Sequence, residues 1–380
     1  MNLKALLFSA DEKTVRILRR VLGDLEINIE HCSTADAAIR LITRQRFESI
    51  IVDVGNTEEA GNVLRGAKAA PANKRALAIV LVESAIGMKG GFEMGAHFVL
   101  HKPFAVERAK ASFRAVRALM KRERRMQMRV PVQVPVACYG SGRYKAQTLD
   151  VCEGGMAIQF LGRKAKESPL RFSLELPGMR QVLEIYGELA WEGNEDQAGV
   201  RFKDANDEQR SVLRQWLSKQ LPEPEQDDPP VICRVTDHSL GGCYLTTNSP
   251  FPRGTQVALS LKTADLEIRV KGFVLVAHPE FGMGVEFLRK TAEQREQAKQ
   301  LITALRAKRD TPELQVEPEG LERSSDDCPA KAEASTSKGS GTEDALVDLF
   351  RHNFQVPVET FLQQMRKRQP VESRSLSATP

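Results

Sequence analysis

The sequence predicts a multidomain chain: a doubly wound α/β domain, then two tandem β-rich domains each closed by a helix, then a tail without a core of its own. Three observations carry this prediction. Short apolar runs alternate with amphipathic ones through the N-terminal third, two stretches of the middle region repeat each other, and beyond Arg309 the composition turns to Ser, Glu, Lys, Gly and Pro. At 380 residues the chain also exceeds the usual size of one hydrophobic core, so two or three domains are expected.

In the N-terminal part, Ala5–Phe8, Ile27–His31, Ser49–Val54, Leu77–Val82 and Phe98–Leu100 are apolar runs of strand length, with amphipathic stretches at Val15–Leu22 and Ala35–Ile42. Alternation of this kind implies a parallel sheet covered by helices on both faces. Ser33-Thr34 supplies a helix cap ahead of Ala35, and Gly95-Ala96 marks a helix end before the fifth strand. From Ala105 to about Met128 there is neither Gly nor Pro, and Phe113, Val116, Leu119 and Met120 recur at helical spacing, which predicts one long helix leaving the domain. Pro131 and Pro135 stop it, and the alternation Val130, Val132, Val134, Val136 opens the β-rich region.

Two stretches of that region are copies. Asp150-Val-Cys-Glu-Gly-Gly155 corresponds to Asp237-His-Ser-Leu-Gly-Gly242 at an offset of 87 positions, and Gly187 and Gly199 correspond to Gly272 and Gly284 at an offset of 85. Each copy ends in a helical pattern, Asp207–Gln220 and Ala292–Ala307, so two tandem β domains follow. The acidic, proline-rich stretch from Pro222 to Pro230 separates them. The tail, residues 309–380, is too polar to offset its ordering entropy and is expected to be disordered. Within it Ala345, Leu346, Leu349, Phe350, Phe354, Phe361, Leu362 and Met365 are spaced for short amphipathic helices interrupted at Pro357. Two readings stand side by side: a partner-docking motif, or helices folded back on the chain's own domains.

Composition excludes several function classes. The longest apolar runs are far too short to cross a bilayer, and Met1-Asn2-Leu3-Lys4 leads straight into a strand without a signal-peptide pattern, so a cytoplasmic protein without a membrane partner is expected. The six cysteines are scattered without a C-x-x-C pair or a His cluster at ligand spacing, so neither disulfides nor a metal is expected. There is no P-loop, no G-x-S-x-G elbow and no other catalytic constellation, so no enzyme and no cofactor are expected. A net charge of +5 is modest, and the basic run Lys121–Arg129 comes without a helix-turn-helix or RNA-binding signature, so no nucleic-acid partner is expected.

Gly95-Ala-His-Phe-Val-Leu-His-Lys102-Pro103-Phe, with Asp53 closing the run Ile50-Ile51-Val52, resembles the receiver domain of two-component response regulators over about residues 1–120. The resemblance implies a flavodoxin-like fold, a phospho-acceptor at Asp53 served by Lys102, and a cis Lys102-Pro103 bond. A working receiver also needs an acidic pair after its first strand to hold Mg²⁺. This chain has Ser9-Ala10 there, with Asp11 and Glu12 displaced by one step, and the hydroxyl after the fourth strand falls at Glu83 or Ser84. Two alternatives remain: phosphorylation at Asp53, or a pseudo-receiver used for dimerisation or partner contact.

Arg125-Met-Gln-Met-Arg129, followed by Asp150-Val-Cys152-Glu-Gly-Gly155, resembles the R-x-x-x-R and D/N-x-S-x-x-G motifs of the PilZ domain, a small β-barrel family that binds cyclic di-GMP. The resemblance implies two β-barrels, over residues 121–221 and 222–308, and a ligand site at Arg125, Arg129, Asp150, Cys152 and Gly155. The chemistry fits. Arginine forks suit phosphates and guanine O6/N7 edges, and the Asp150 carboxylate can accept from guanine N–H groups. Cys152 stands where the family has serine, and thiols form much weaker hydrogen bonds. The bland alternative for Arg125 and Arg129 is a solvated basic helix face. The second copy keeps Asp237, Ser239 and Gly242 but lacks the arginine pair and follows Glu223, Glu225, Asp227 and Asp228, which oppose an anionic ligand. It is expected to be a degenerate site whose Asp and Ser satisfy local backbone groups.

The expected function is cyclic di-GMP-binding signalling, in which ligand capture orders the junction Met126–Pro131 and reorients the receiver-like domain against the barrels. Protein partners are expected at the receiver-like domain or the tail, and homodimerisation is left open. The rival is an interaction scaffold that binds no nucleotide.

Overall fold

The computed structural model describes residues 3–83, 87–165, 168–179, 181–193, 196–203, 207–220, 228–262, 267–278, 281–289, 291–307, 313–321, 344–352, 356 and 358–368. The chain forms two compact units, residues 1–122 with 228–380, and residues 123–227.

The first unit begins with β1 (Leu3–Phe8), α1 (Glu12–Asp24), β2 (Ile27–Cys32), α2 (Ala35–Arg44), β3 (Ser49–Asp53), α3 (Thr57–Ala69), β4 (Leu77–Val82), α4 (Gly87–Glu93), β5 (Phe98–His101) and α5 (Val106–Gln127). The strands form a parallel sheet in the order β2-β1-β3-β4-β5, the doubly wound architecture expected from the alternation. β3 and β4 are buried along their whole length, as central strands covered on both faces must be. Thr34 caps α2 by accepting from the Ala37 N–H, and Gly95 ends the α4 region at φ +89°. The Lys102-Pro103 bond is cis. The sequence pattern did not signal α3, whose periodicity is diluted by Gly61 and Gly66; Asn56 starts it by accepting from the Glu58 and Glu59 N–H groups.

α5 has two apolar faces. Phe113, Val116, Leu119 and Met120 pack under the receiver-like sheet, while Ala115 and Ala118 join the core of the second barrel. Alanine on that face lets the barrel approach the helix closely. Arg117 and Lys121 both pair with Asp228, the latter at 2.8 Å, and Arg122 Nε donates to the Glu319 carbonyl at 3.2 Å. Lys121 and Arg122 of the basic run are buried in these contacts. Of the acidic residues before the second copy, Glu223, Glu225 and Asp227 lie outside the described residues, as do Ser84, Cys328, Phe354 and Pro357.

The second unit holds β6 (Val130–Pro131), β7 (Pro135–Tyr139), β8 (Arg143–Cys152), β9 (Gly155–Phe160), β10 (Leu170–Leu174), β11 (Leu183–Glu192), β12 (Gln197–Phe202) and α6 (Asp207–Gln220). The ring β8-β7-β10-β11-β12-β9 closes through the β8–β9 pairing, and β6 adds to β8. Val136, Cys138, Met156, Ile158, Phe172, Ile185 and Val200 fill the interior, and Leu213, Trp216 and Leu217 of α6 pack against it.

The second barrel belongs to the first unit and contains β13 (Val231–His238), β14 (Gly242–Thr246), β15 (Thr255–Lys262), β16 (Glu267–His278), β17 (Gly282–Phe287), α7 (Ala292–Ala307) and β18 (Glu313–Leu321). Its ring is β13-β14-β17-β16-β15-β18. By repeat equivalence β13 matches β8 and β15 matches β10, so β18 occupies the place that β7 takes in the first barrel: between them, antiparallel to both. The strand that precedes the others in the first barrel follows the closing helix in the second. Residues 313–321 are therefore not part of a disordered tail. Leu314 and Val316 point into the core, and the backbone N–H and C=O groups of β13 and β15 need this strand as their partner.

Past residues 322–343, which lie outside the described set, α8 (Ala345–His352) and α9 (Val358–Arg368) fold back on the second barrel. Leu346, Phe350, Phe361 and Met365 form a cluster with Tyr244 and Val276 of the barrel wall. His278 is 1% exposed, with Nδ1 3.2 Å from the Tyr244 hydroxyl and its ring centroid 4.5 Å from that of Phe361. Of the two readings left open for this segment, the folded-back one describes these helices.

Two outcomes follow for stability. Leu314→Ala is expected to cost about 2–5 kcal/mol in chemical denaturation, as for a fully buried leucine, while Gln315→Ala on the other side of the strand changes little. Burial pushes the His278 imidazole down to about 4 from 6.5. The packed state therefore binds the proton less readily than the released state. Its contribution is whole above pH 6.5 and declines as the pH falls toward 4. The protection factors of the α8 and α9 amides, referred to the intrinsic exchange rate at each pH, should fall over that window, and His278→Gln should flatten the dependence.

Candidate functional site

In the receiver-like domain the end of β3 places Asp53 beside Lys102, with Nζ 2.7 Å from Oδ1, and Ser9 donates its hydroxyl to Oδ2 at 2.7 Å. Asp53 is buried. Burial alone would lower the pKa of the Lys102 ammonium, but hydrogen bonds and charges from Asp53 and Glu83 outweigh it and hold the value above the ordinary one. Asp11, the displaced acidic residue, is used elsewhere. It caps α1, accepting from the Lys13 N–H and the Thr14 hydroxyl, bonds that hold its carboxyl below the usual range. Asp53 thus keeps its lysine neighbour, while the Ser9 hydroxyl stands where a phosphorylatable receiver has a carboxylate. Among the described residues no group of three or more His, Cys, Asp or Glu side chains is placed to hold a metal ion.

In the second unit Arg125 lies in the last turn of α5, half-buried, and Arg129 follows the helix just ahead of β6. β6 pairs Val130 with Val151 and Pro131 with Asp150, which brings Arg129 alongside the motif. Its Nη1 donates to Asp150 Oδ1 at 2.5 Å. Thr148 fixes the lead-in, donating to the Val132 carbonyl and accepting from the Val134 N–H. Arg129 and Asp150 are brought together, and the Arg129 side chain remains 45% exposed.

Strand register extends this pair into a row. Asp150 is opposite Ala157, Ala157 opposite Gly199, and Gly199 opposite Trp191, across β8, β9, β12 and β11. Partners in register face the same side of a sheet, and the interior is filled by their neighbours Met156, Ile158 and Val200, so the row lies on the outer wall. Ala157 and Gly199 form a low floor between the Asp150 carboxylate and the indole of Trp191, which is 45% exposed and lies over Gly199.

Gly155 has a structural reason as well. A Cβ there would stand 2.2 Å from the Val200 carbonyl oxygen, so the glycine permits β9 to pair closely with β12. Cys152 is a buried free thiol at the end of β8. In the second copy Ser239 closes the turn, accepting from the Gly241 and Gly242 N–H groups at 3.3 and 3.2 Å. The missing hydroxyl at Cys152 thus bears first on turn order in the first barrel. Gly242 repeats the glycine constraint, since a Cβ there would stand 2.3 Å from the Val285 carbonyl oxygen.

The sequence did not point to the brace behind the turn. Glu153 accepts two hydrogen bonds from Arg214 of α6, at 3.1 and 2.9 Å, and so ties the motif turn to the closing helix. Nor did it give Trp191 a place in the site; only register across three strand pairs does so.

The PilZ domain family model matches residues 123–219 and 221–304, one segment for each barrel. No curated protein sequence matches the chain. Among solved structures, the receiver domain of the sensor histidine kinase PA1611 from Pseudomonas aeruginosa PAO1 is 20% identical, covering 29% of this chain and 93% of that one at a TM-score of 0.26. The signal receiver domain of a LuxO repressor protein from Vibrio parahaemolyticus is 20% identical over 34% of this chain and 99% of that one, at a TM-score of 0.30. The PilZ domain of CeSA from a cellulose-synthesizing bacterium is 20% identical over 24% and 97%, at 0.21. The chain therefore carries a PilZ domain match on each barrel, behind a doubly wound α/β domain. Its order is a receiver-like N-terminal domain followed by two PilZ-like domains, the kind of domain that binds cyclic di-GMP. Both module types are typically non-catalytic. Among the described residues no helix is long and apolar enough to cross a membrane.

Lys102→Met is expected to destabilise the receiver-like domain by about 3–5 kcal/mol, because it leaves the buried Asp53 carboxylate without its counter-charge. Asp53→Asn, which keeps the Ser9 contact and removes the charge, should cost less in the same urea titration.

Proposed function

We propose that this chain is a cyclic di-GMP-binding signalling protein of the cytoplasm, with the ligand captured on the outer wall of the first barrel. The observation that carries this reading is the open row from Arg129 and Asp150 across Ala157 and Gly199 to Trp191. It offers a permanently charged fork for phosphate or the guanine O6/N7 edge, a carboxylate for guanine N–H groups, a floor without side-chain bulk, and an aromatic face for stacking. Arg125, one turn before Arg129, supplies a second guanidinium once ligand draws the junction together. Arg201, on β12 opposite Gly155, adds positive charge to the same wall.

Capture at this position orders Met126–Pro131, the segment beside the boundary between the two compact units, and so reorients the domains that it joins. The receiver-like domain then acts as a contact surface for a protein partner or a second copy. The Lys102–Asp53–Ser9 arrangement supports a domain that works without phosphorylation.

Calorimetry with cyclic di-GMP tests the proposal. One site is expected in the native chain, and Arg125→Ala/Arg129→Ala should weaken it by at least about 100-fold, given the typical strength of hydrogen bonds to charged groups. Cys152→Ser should tighten binding by a few-fold, since one neutral hydrogen bond is worth about 1 kcal/mol. Absence of heat with the native chain rules the reading out in favour of a scaffold that binds no nucleotide.

A further inference from the structure

The second barrel repeats the outer row residue for residue. Asp237 is opposite Tyr244, Tyr244 opposite Gly284, and Gly284 opposite Val276, the equivalents of Asp150, Ala157, Gly199 and Trp191. In this barrel the row is covered. Phe350 of α8 lies against Gly284, where a Cβ would stand 2.9 Å from its ring, so its aromatic ring sits over the same glycine that Trp191 covers in the first barrel. Phe361 of α9 packs on Tyr244, with centroids 5.4 Å apart.

Polar contacts address the same motif. Asp344 caps α8 through Oδ1, which accepts from the Leu346 and Val347 N–H groups, while its Oδ2 accepts from the Gly241 N–H at 2.7 Å. A carboxylate oxygen from the C-terminal segment thus engages the backbone of the Asp237-His-Ser-Leu-Gly-Gly242 turn. Arg351 pairs with Glu286 at 2.5 Å. Glu286 is the equivalent of Arg201, so the wall charge has reversed from one barrel to the other. An anionic nucleotide is disfavoured at Glu286 and a basic residue of a helix is favoured.

We propose that the second barrel is a receptor for a helical peptide segment, built on the face that the first barrel presents to the nucleotide, and that α8 and α9 with the capping Asp344 are its resident ligand. The equivalence to a nucleotide face rests on the reading of the Asp150–Trp191 row, while the peptide contacts stand on their own geometry. The recognised chemistry is an acidic helix cap at the motif turn, a phenylalanine on Gly284, a second phenylalanine on Tyr244, and an arginine on Glu286. Retention of Asp237, Ser239 and Gly242 without an arginine pair then has a use: the turn holds its shape for a peptide carboxylate.

The test uses the full chain with a protease site introduced between Ser335 and Gly341, followed by gel filtration at micromolar concentration. After cleavage the native C-terminal fragment is expected to co-elute with the body, and an excess of fluorescent synthetic peptide spanning residues 342–369 should exchange into the complex. Phe350→Ala/Phe361→Ala should raise the dissociation constant of that peptide by more than about 100-fold, and Asp344→Asn, a milder change that keeps the apolar contacts, by several-fold. Separation of the native fragment, or equal retention of the double phenylalanine variant, overturns the proposal. Saturating cyclic di-GMP should leave the fragment bound, and release by nucleotide also overturns it. Calorimetry on the uncleaved chain reports separately on the first barrel: no heat there with the fragment retained removes the nucleotide assignment and leaves the peptide receptor standing.

Discussion

Both barrels depend on one close approach of backbone to backbone. β9 meets β12, and β14 meets β17, at a glycine whose Cβ would stand within 2.3 Å of a valine carbonyl oxygen. No other residue fits without separating the strands. Because the pairing is that tight, the register on either side of it is fixed, and a fixed register places Asp150, Ala157, Gly199 and Trp191 side by side, as it does Asp237, Tyr244, Gly284 and Val276. A slip of one residue would turn each of these side chains to the opposite face. The glycine that ends the D-x-S-x-x-G motif is therefore a requirement of the wall before it is a feature of any ligand site.

The two walls then diverge through a few substitutions. An alanine at position 157 leaves the first row low, and a tyrosine at 244 raises the second and gives an aromatic surface to pack against. Arg201 against Glu286 sets the preferred charge of the visitor. Trp191 against Val276 decides whether the wall supplies its own aromatic ring over the glycine or receives one from a helix. One scaffold thus presents two opposed surfaces with no change of strand order on that side of the ring.

Much of this was legible in the sequence where the pattern is local. The five apolar runs located the parallel strands, the 87- and 85-residue offsets located the repeat, and the cap at Thr34 and the break at Pro131 were read from single residues. What escaped was non-local. β18 contains Pro318 and three glutamates among its nine residues, and only Leu314 and Val316 mark its inner face, so in isolation it resembles linker. It becomes a strand because β13 and β15 offer it two ladders at once. The partners of Lys121 and Arg122, Asp228 and Glu319, lie over a hundred positions away, so no local pattern points to them. Asp53 and its lysine, Lys102, were visible at their strand ends, but the hydrogen bond from Ser9 became clear only when β1 brought that hydroxyl to the carboxylate.

The displaced strand also sets an order of events during synthesis. All the strands of the first barrel are contiguous, so its ring can shut once α6 has left the ribosome. The second barrel has five of its six strands by Phe287 and cannot close until Leu321, after a whole helix has been made. At roughly 5–20 residues per second, that leaves a few seconds in which the growing chain carries two unpaired strand edges. Open edges of this kind are templates for unwanted pairing between chains. The polar surface of α7, with Glu293, Arg295, Glu296, Lys299 and Arg306, is made during that interval and gives the waiting stretch a charged face.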